Sequence, residues 1–152
     1  MELNFAQALW VLDLLSADKL AEIGVKALEA GMDSSALRML ASLSPSEVDE
    51  APQLFARALA ELGLAAMSRP EAARICAAHI SQQILNGETS SRDGAKKLWD
   101  VSLHVEDKGF HDLDTFIYAA SEIEDRPEDR DFFDREIVKE ARSWATGNRG
   151  AS

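Results

Sequence analysis

The sequence has very little cysteine and none of the short motifs that mark common enzyme families. Cys76 is the one cysteine among 152 residues, so the chain has neither an intramolecular disulfide nor a cage of cysteine ligands for zinc. It also lacks a glycine-rich dinucleotide loop, a P-loop, a nucleophile elbow and an HExxH metal motif. These absences favour a reducing cytoplasmic setting, a protein that is not an enzyme, and no cofactor.

A long apolar run is also missing. The N-terminal segment is apolar from Phe5 to Leu15, but Gln7 and Asp13 interrupt it and no basic residue precedes it. A signal peptide needs a basic lead, and a membrane helix needs about 20 consecutive apolar residues. The sequence therefore predicts neither secretion nor insertion into a membrane.

Positive charge is scarce as well. The chain has 27 acidic residues against 16 lysines and arginines, which gives a formal net charge of -11. Affinity for nucleic acid comes mainly from basic residues that replace counterions on phosphates, and anionic membranes also attract basic surfaces. We therefore expect no nucleic-acid partner and no membrane partner. A basic protein, in contrast, would be captured quickly by a surface of opposite charge.

What the sequence does contain is the pattern of a helical protein. Apolar residues recur at helical spacing, polar residues that cap helices precede several runs, and glycines follow them at positions 31, 63 and 87. The caps are Asp33 or Ser34 in one case and Ser90 or Ser91 in another. The pattern predicts an all-α single domain over residues 1–146, with about eight helices packed as helical hairpins in an irregular bundle, and a disordered tail at 147–152.

The first predicted helix, Asn4 to Leu15, is apolar on nearly every side. Such a helix lies either at the centre of a domain or in a contact between copies of the chain. One alternative function is therefore a self-associating helical scaffold, in which this helix forms a homodimer. Trp10 is the residue whose replacement by a charged residue would test it.

The last third of the chain contains an unusually acidic stretch. Between positions 122 and 136 only three arginines, at 126, 130 and 135, accompany eight carboxylates, which are Glu122, Glu124, Asp125, Glu128, Asp129, Asp131, Asp134 and Glu136. Part of this charge is ordinary helix chemistry. Pro127 opens an eighth predicted helix that runs to about Ala145, and acids near a helix N-terminus complement its dipole.

The seventh predicted helix, Leu113 to Glu124 with Asp112 as its cap, is less ordinary. Its apolar residues share one face and leave the only tyrosine, Tyr118, beside Glu122 and Asp125 on the opposite face. Aromatic residues are favoured anchors of protein interfaces, and an acidic rim repels wrong partners. We therefore predict a partner-binding surface at these three residues, with Asp112, Asp114 and Asp129 as flanking charges.

A second alternative is an enzyme or metal-binding protein with a site around His79 or His111. Cys76 and His79 are three residues apart on a predicted helix and resemble the start of a nucleophile and base pair. The alanines around Cys76, however, predict a low-polarity setting in which a cysteine is a small hydrophobe with a raised pKa. His111, beside Asp112 and Asp114, is the best local candidate for a metal ligand, yet no metal is expected.

Four segments resemble those of a group of small bacterial all-helical cytosolic proteins whose functions are uncharacterised. They are KALEAGMDSSALRMLASL at 26–43, LFARALAELGL at 54–64, ISQQILNGETSSRDGAKKLWD at 80–100 and FIYAASEIEDRPEDRDFFDREIVKEA at 116–141. The resemblance implies a bacterial, cytoplasmic protein. Some small acidic bacterial proteins of this kind are immunity proteins of toxins, which suggests a non-enzymatic module that neutralises a basic, nuclease-like toxin domain by occluding its active site.

Overall fold

The computed structural model describes residues 2–147, and this part of the chain contains helices and no strand. The all-α prediction is confirmed. The eight α-helices are α1 (Leu3–Val11), α2 (Leu20–Glu29), α3 (Ser35–Ala41), α4 (Ala51–Glu61), α5 (Arg69–Leu85), α6 (Ser91–Leu103), α7 (Asp114–Asp125) and α8 (Arg130–Ala145). Short 3-10 helices precede three of them, at Ala17–Lys19, Pro45–Glu50 and Pro127–Asp129.

The predicted helix ends agree with the structure where a local signal sets them. The Ser34 and Ser90 hydroxyls accept hydrogen bonds from the backbone N–H groups of the third residue along, which decides between the alternative caps of α3 and α6. Gly31, Gly63 and Gly87 each have φ between 74° and 96°. Only glycine adopts this left-handed backbone without strain, so these residues end α2, α4 and α5.

Three predicted boundaries are wrong. The eighth α-helix begins at Arg130 rather than Pro127, because Pro127–Asp129 forms a 3-10 helix. The first helix ends at Val11 rather than Leu15, because Asp13 takes a left-handed φ of 59° and reverses the chain. The seventh helix begins at Asp114, with Leu113 rather than Asp112 at its N-cap position. The tail predicted at 147–152 lies outside the described residues except for Gly147.

By their contacts the helices divide into two compact units, one ending at Ser68 and the next beginning at Arg69. The first unit contains α1 to α4. Its core is made of Leu, Ile, Ala and Phe side chains from all four helices, with Phe55 fully buried. The Trp10 ring meets Phe55 edge to face at 6.1 Å between centroids. The prediction of a single domain over residues 1–146 stays a prediction.

The second unit contains α5 to α8. Each helix packs against the next, as predicted for helical hairpins, and α8 also packs along α5. The buried residues of α7 and α8 include Phe116, Ile123, Phe133 and Ile137. The Tyr118 ring on the opposite face of α7 contacts the Phe133 ring near the start of α8, so these two parts of the surface adjoin.

None of the helices within residues 2–147 combines the length and the apolar character that a membrane crossing requires.

Candidate functional site: an aromatic and acidic surface on α7 and α8

Helical geometry places four of the predicted site residues in one line along α7. Asp114, Tyr118, Glu122 and Asp125 are separated by four, four and three residues, and side chains at these spacings share a helix face. Tyr118 is 59% exposed, and Asp114 and Asp125 are also exposed. The predicted outer face of the seventh helix therefore exists as a surface of the described chain.

Glu122 is the least exposed of these acids, because it is engaged by Arg126. The Arg126 Nε donates to Glu122 Oε2 at 2.7 Å, and its Nη2 lies 2.6 Å from the same oxygen. The Arg126 Nη1 is also 3.7 Å from Asp129 Oδ2. The hydrogen bond to Glu122 is the main cause that raises the pKa of the Arg126 guanidinium, and the Asp129 charge adds to it. One arginine thus partly neutralises two of the predicted partner-binding acids.

The ring of Phe133 lies beneath the side chains of Tyr118 and Arg126. It is only 3% exposed. The Tyr118 ring meets it edge to face at 6.0 Å between centroids, and the Arg126 guanidinium carbon lies 5.3 Å from its ring centre. The buried ring limits how far both side chains can move inward, and each gains a favourable aromatic or cation–π contact with it.

Phe132 belongs to the same surface and was not predicted. It is 51% exposed, and its ring packs edge to face on Phe133 with 5.1 Å between centroids. The sequence alone carries no clear signal for it, since adjacent residues on a helix point about 100° apart and can still both be buried, as Leu54 and Phe55 are. Two exposed aromatic rings, Tyr118 and Phe132, thus rest on one buried ring.

Asp112 and Asp114 lie at the other end of α7. The Arg74 Nε donates to Asp112 Oδ2 at 2.9 Å, and the Arg74 guanidinium also lies over the Phe110 ring. Asp114 Oδ2 is 3.3 Å from His111 Nδ1. Asp114 and Asp125 are about 16 Å apart along the axis, at 1.5 Å per residue. Arg126 and Phe133 therefore bring together Tyr118, Glu122 and Asp129, with Asp125 beside them. Asp114 lies one turn before Tyr118, but it and Asp112 contact His111 and Arg74 instead.

We call Tyr118, Glu122, Asp125, Asp129 and Phe132 the aromatic–acidic surface. Within residues 2–147, Asp125 is exposed and takes part in no ion pair. Glu124, which points away from this face, pairs with Lys96 on α6 at 3.2 Å. The surface therefore carries negative charge beside exposed aromatic area, although Arg126 offsets part of that charge.

The alternative site around Cys76 and His79 has a different character. Cys76 is buried on α5, and this burial raises the pKa of its thiol to about 12. A thiol with such a pKa stays protonated near neutral pH and is a poor nucleophile. His111 lies beside Asp114 in an exposed position. Across residues 2–147, no three His, Cys, Asp or Glu side chains gather in a way that would hold a metal ion.

The apolar first helix is largely buried within the chain. Leu3, Phe5, Ala6, Gln7 and Ala8 are all buried, and Gln7 donates a side-chain hydrogen bond to the Ala65 carbonyl at 2.9 Å. This burial favours a place for the helix at the centre of a domain over a contact between copies of the chain. Homodimer formation through this helix stays a prediction.

Comparison of the chain with protein-family models, with curated proteins and with solved structures finds no match. The resemblance of the four segments to small bacterial proteins therefore stays a hypothesis.

Proposed function

We propose that this chain is a protein-binding module that holds a basic partner on its aromatic–acidic surface. The observation that carries the proposal is that Tyr118 and Phe132 are more than half exposed while both rest on the buried Phe133. Exposed aromatic rings cost solvation free energy unless a partner covers them, and rings whose movement is limited bind without a large loss of conformational entropy.

The charge around these rings supports a basic partner. The stretch from Glu122 to Glu136 contains eight carboxylates and three arginines, and the whole chain has a formal net charge of -11. A surface of this kind raises the association rate with a positively charged protein and disfavours acidic partners through repulsion. The aromatic rings would then provide the buried centre of the interface, and the acids its rim.

Within this proposal, the partner is a toxin domain and the chain is its immunity protein in the bacterial cytoplasm. An acidic surface mimics the charge of a nucleic-acid substrate, so it fits over the basic active site of a nuclease-like domain and occludes it. The small size, the negative charge and the all-helical fold support this assignment by analogy.

The first experiment compares the proteins captured by the chain and by two double variants from a lysate of the native cell. We expect a basic protein that the original chain captures and that Tyr118→Ala/Phe132→Ala loses. The matched control is Met39→Ala/Leu103→Ala, which also removes two exposed apolar side chains and should retain it. Equal capture by both double variants would contradict this surface.

The second experiment tests the immunity role. The captured protein, expressed alone, should arrest growth, and coexpression of the original chain should restore it. The Tyr118→Ala/Phe132→Ala variant should fail to restore growth while the Met39→Ala/Leu103→Ala variant succeeds. A captured protein that is harmless when expressed alone would exclude the toxin assignment and leave the binding function standing.

A further inference from the structure

The placement of Arg126 suggests which side chain the partner provides. Its guanidinium is held on one side by Glu122, through contacts of 2.7 and 2.6 Å, and faces Asp129 at 3.7 Å on another. The Phe133 ring lies 5.3 Å from the guanidinium carbon. Two carboxylates and an aromatic ring therefore surround one planar cation.

This set of groups suits arginine better than lysine. A guanidinium donates forked hydrogen bonds to carboxylates and stacks on aromatic rings, whereas an ammonium is a compact and strongly hydrated charge that does neither as well. The Glu122, Asp129 and Phe133 groups therefore form a guanidinium site, which Arg126 of the same chain occupies.

The following inference rests on the proposed function of the aromatic–acidic surface. We propose that the basic partner inserts an arginine between Glu122 and Asp129 over Phe133, and that Arg126 is the resident side chain that this arginine displaces.

The surroundings of Arg126 allow such an exchange. Its side chain is 46% exposed and extends from the connection between α7 and α8. An ion pair of this exposure contributes little net free energy, so releasing it opposes binding only weakly. Tyr118 and Phe132 both contact the ring over which Arg126 lies. A partner that covers the two exposed rings therefore reaches the guanidinium site as well.

The test titrates the isotope-labelled full chain with two peptide probes, GRGRGRG and its lysine counterpart GKGKGKG, and follows backbone amide shifts. Arg126→Gln vacates the guanidinium site. Arg135→Gln is the matched control, because it removes the same charge from an exposed position of α8 that has no ion pair within residues 2–147. For GRGRGRG we expect Arg126→Gln to bind roughly two to five times more tightly than Arg135→Gln, the factor that corresponds to one exposed ion pair. For GKGKGKG the two variants should bind alike.

The possible outcomes distinguish the exchange of arginines from the proposed binding surface. Equal affinity of the two variants for GRGRGRG, or weaker binding by Arg126→Gln, overturns the exchange of arginines, while shifts confined to α7 and α8 still support the proposed surface. If the original chain shows no shifts on α7 or α8 with either peptide, the proposed function itself is contradicted. Arg126→Lys keeps the positive charge but loses the forked hydrogen bonds of the guanidinium, so its affinity for GRGRGRG should lie between those of the original chain and Arg126→Gln. It also replaces Arg126→Gln as the test if that variant does not fold.

Discussion

The two neighbouring phenylalanines of α8 provide a direct test of the division between core and surface. Phe133 is 3% exposed and contacts Tyr118 and Phe132, whereas Phe132 is 51% exposed. Truncating a buried phenylalanine to alanine costs about 3–5 kcal/mol of folding stability, because apolar contacts are lost and a cavity remains. Truncating Phe132 should cost roughly 1 kcal/mol, which is the contribution of one aromatic pair.

Urea unfolding followed by tryptophan fluorescence measures this difference. Of the three tryptophans, Trp10 lies in the first unit, and Trp99 and Trp144 lie in the second. In a Trp10→Phe background, the fluorescence therefore reports only on the helices that carry the site. Phe133→Ala should lose a large part of the stability of this unit, since a whole domain is stable by only about 5–15 kcal/mol.

If Phe133→Ala does not fold, Phe133→Leu retains most of the volume and should still be less stable than Phe132→Ala or equal to it. Equal and large losses for Phe132→Ala and Phe133→Ala would mean that Phe132 is needed for folding. In that case its exposure would give no reason to assign it to a partner.

Three further predictions concern folding and reactivity. A Cβ on Gly94 would lie 2.6 Å from two side-chain atoms of Ile84, so Gly94→Ala should destabilise by about 1–2 kcal/mol and become stabilising in an Ile84→Ala background; the same sign in both backgrounds, measured by urea unfolding, would refute the clash. Because burial raises the pKa of Cys76 to about 12, the thiolate fraction at pH 8 falls about a thousandfold, and the greater nucleophilicity of a high-pKa thiolate offsets part of this. A thiol reagent should therefore react at least roughly tenfold more slowly with the folded chain than in guanidinium, and equal rates would contradict the burial. The Ala36 N–H donates to Glu61 Oε1 at 2.8 Å and lowers the pKa of that carboxyl, so its contribution to stability is present above the unfolded pKa and is lost as the pH falls through the folded pKa. Glu61→Gln should therefore flatten the loss of thermal stability below about pH 4.5, and an unchanged slope would exclude this carboxyl as a cause.

Local signals explain why the helices were predictable from the sequence. Ser34 caps its own helix, and Gly31 adopts a backbone that other residues avoid, so neighbours within a few positions are enough to set these ends. The 3-10 helix at Pro45–Glu50 was missed, although Ser44 and Glu47 form a capping box there. The sequence carries the signal for it, since Ser44 and Glu47 have the spacing of a capping box and Pro45 suits the first helical position.

The candidate site was predictable only in part, because some of its contacts depend on how two helices pack and not on the spacing of residues along one helix. Tyr118, Glu122 and Asp125 share a helix face by spacing alone. The contact of Arg126 with Phe133, in contrast, depends on the angle at which α8 follows α7. The pairing of Arg74 with Asp112 joins residues 38 positions apart. Non-local ion pairs of this kind engage Asp112 and Glu124, and the net charge of a segment does not reveal them. The pairs of Arg126 with Glu122 and Asp129, in contrast, join residues only four and three positions apart.

The proposed function requires that a partner contacts the face of α7 that displays Tyr118. A photoreactive phenylalanine analogue placed at position 118 in the native cell tests it most directly, with the same analogue at position 103 as the control, since Leu103 is 69% exposed on α6. We expect one crosslinked basic protein from position 118 and none from position 103. No adduct at position 118, or the same adduct from both positions, would contradict the account.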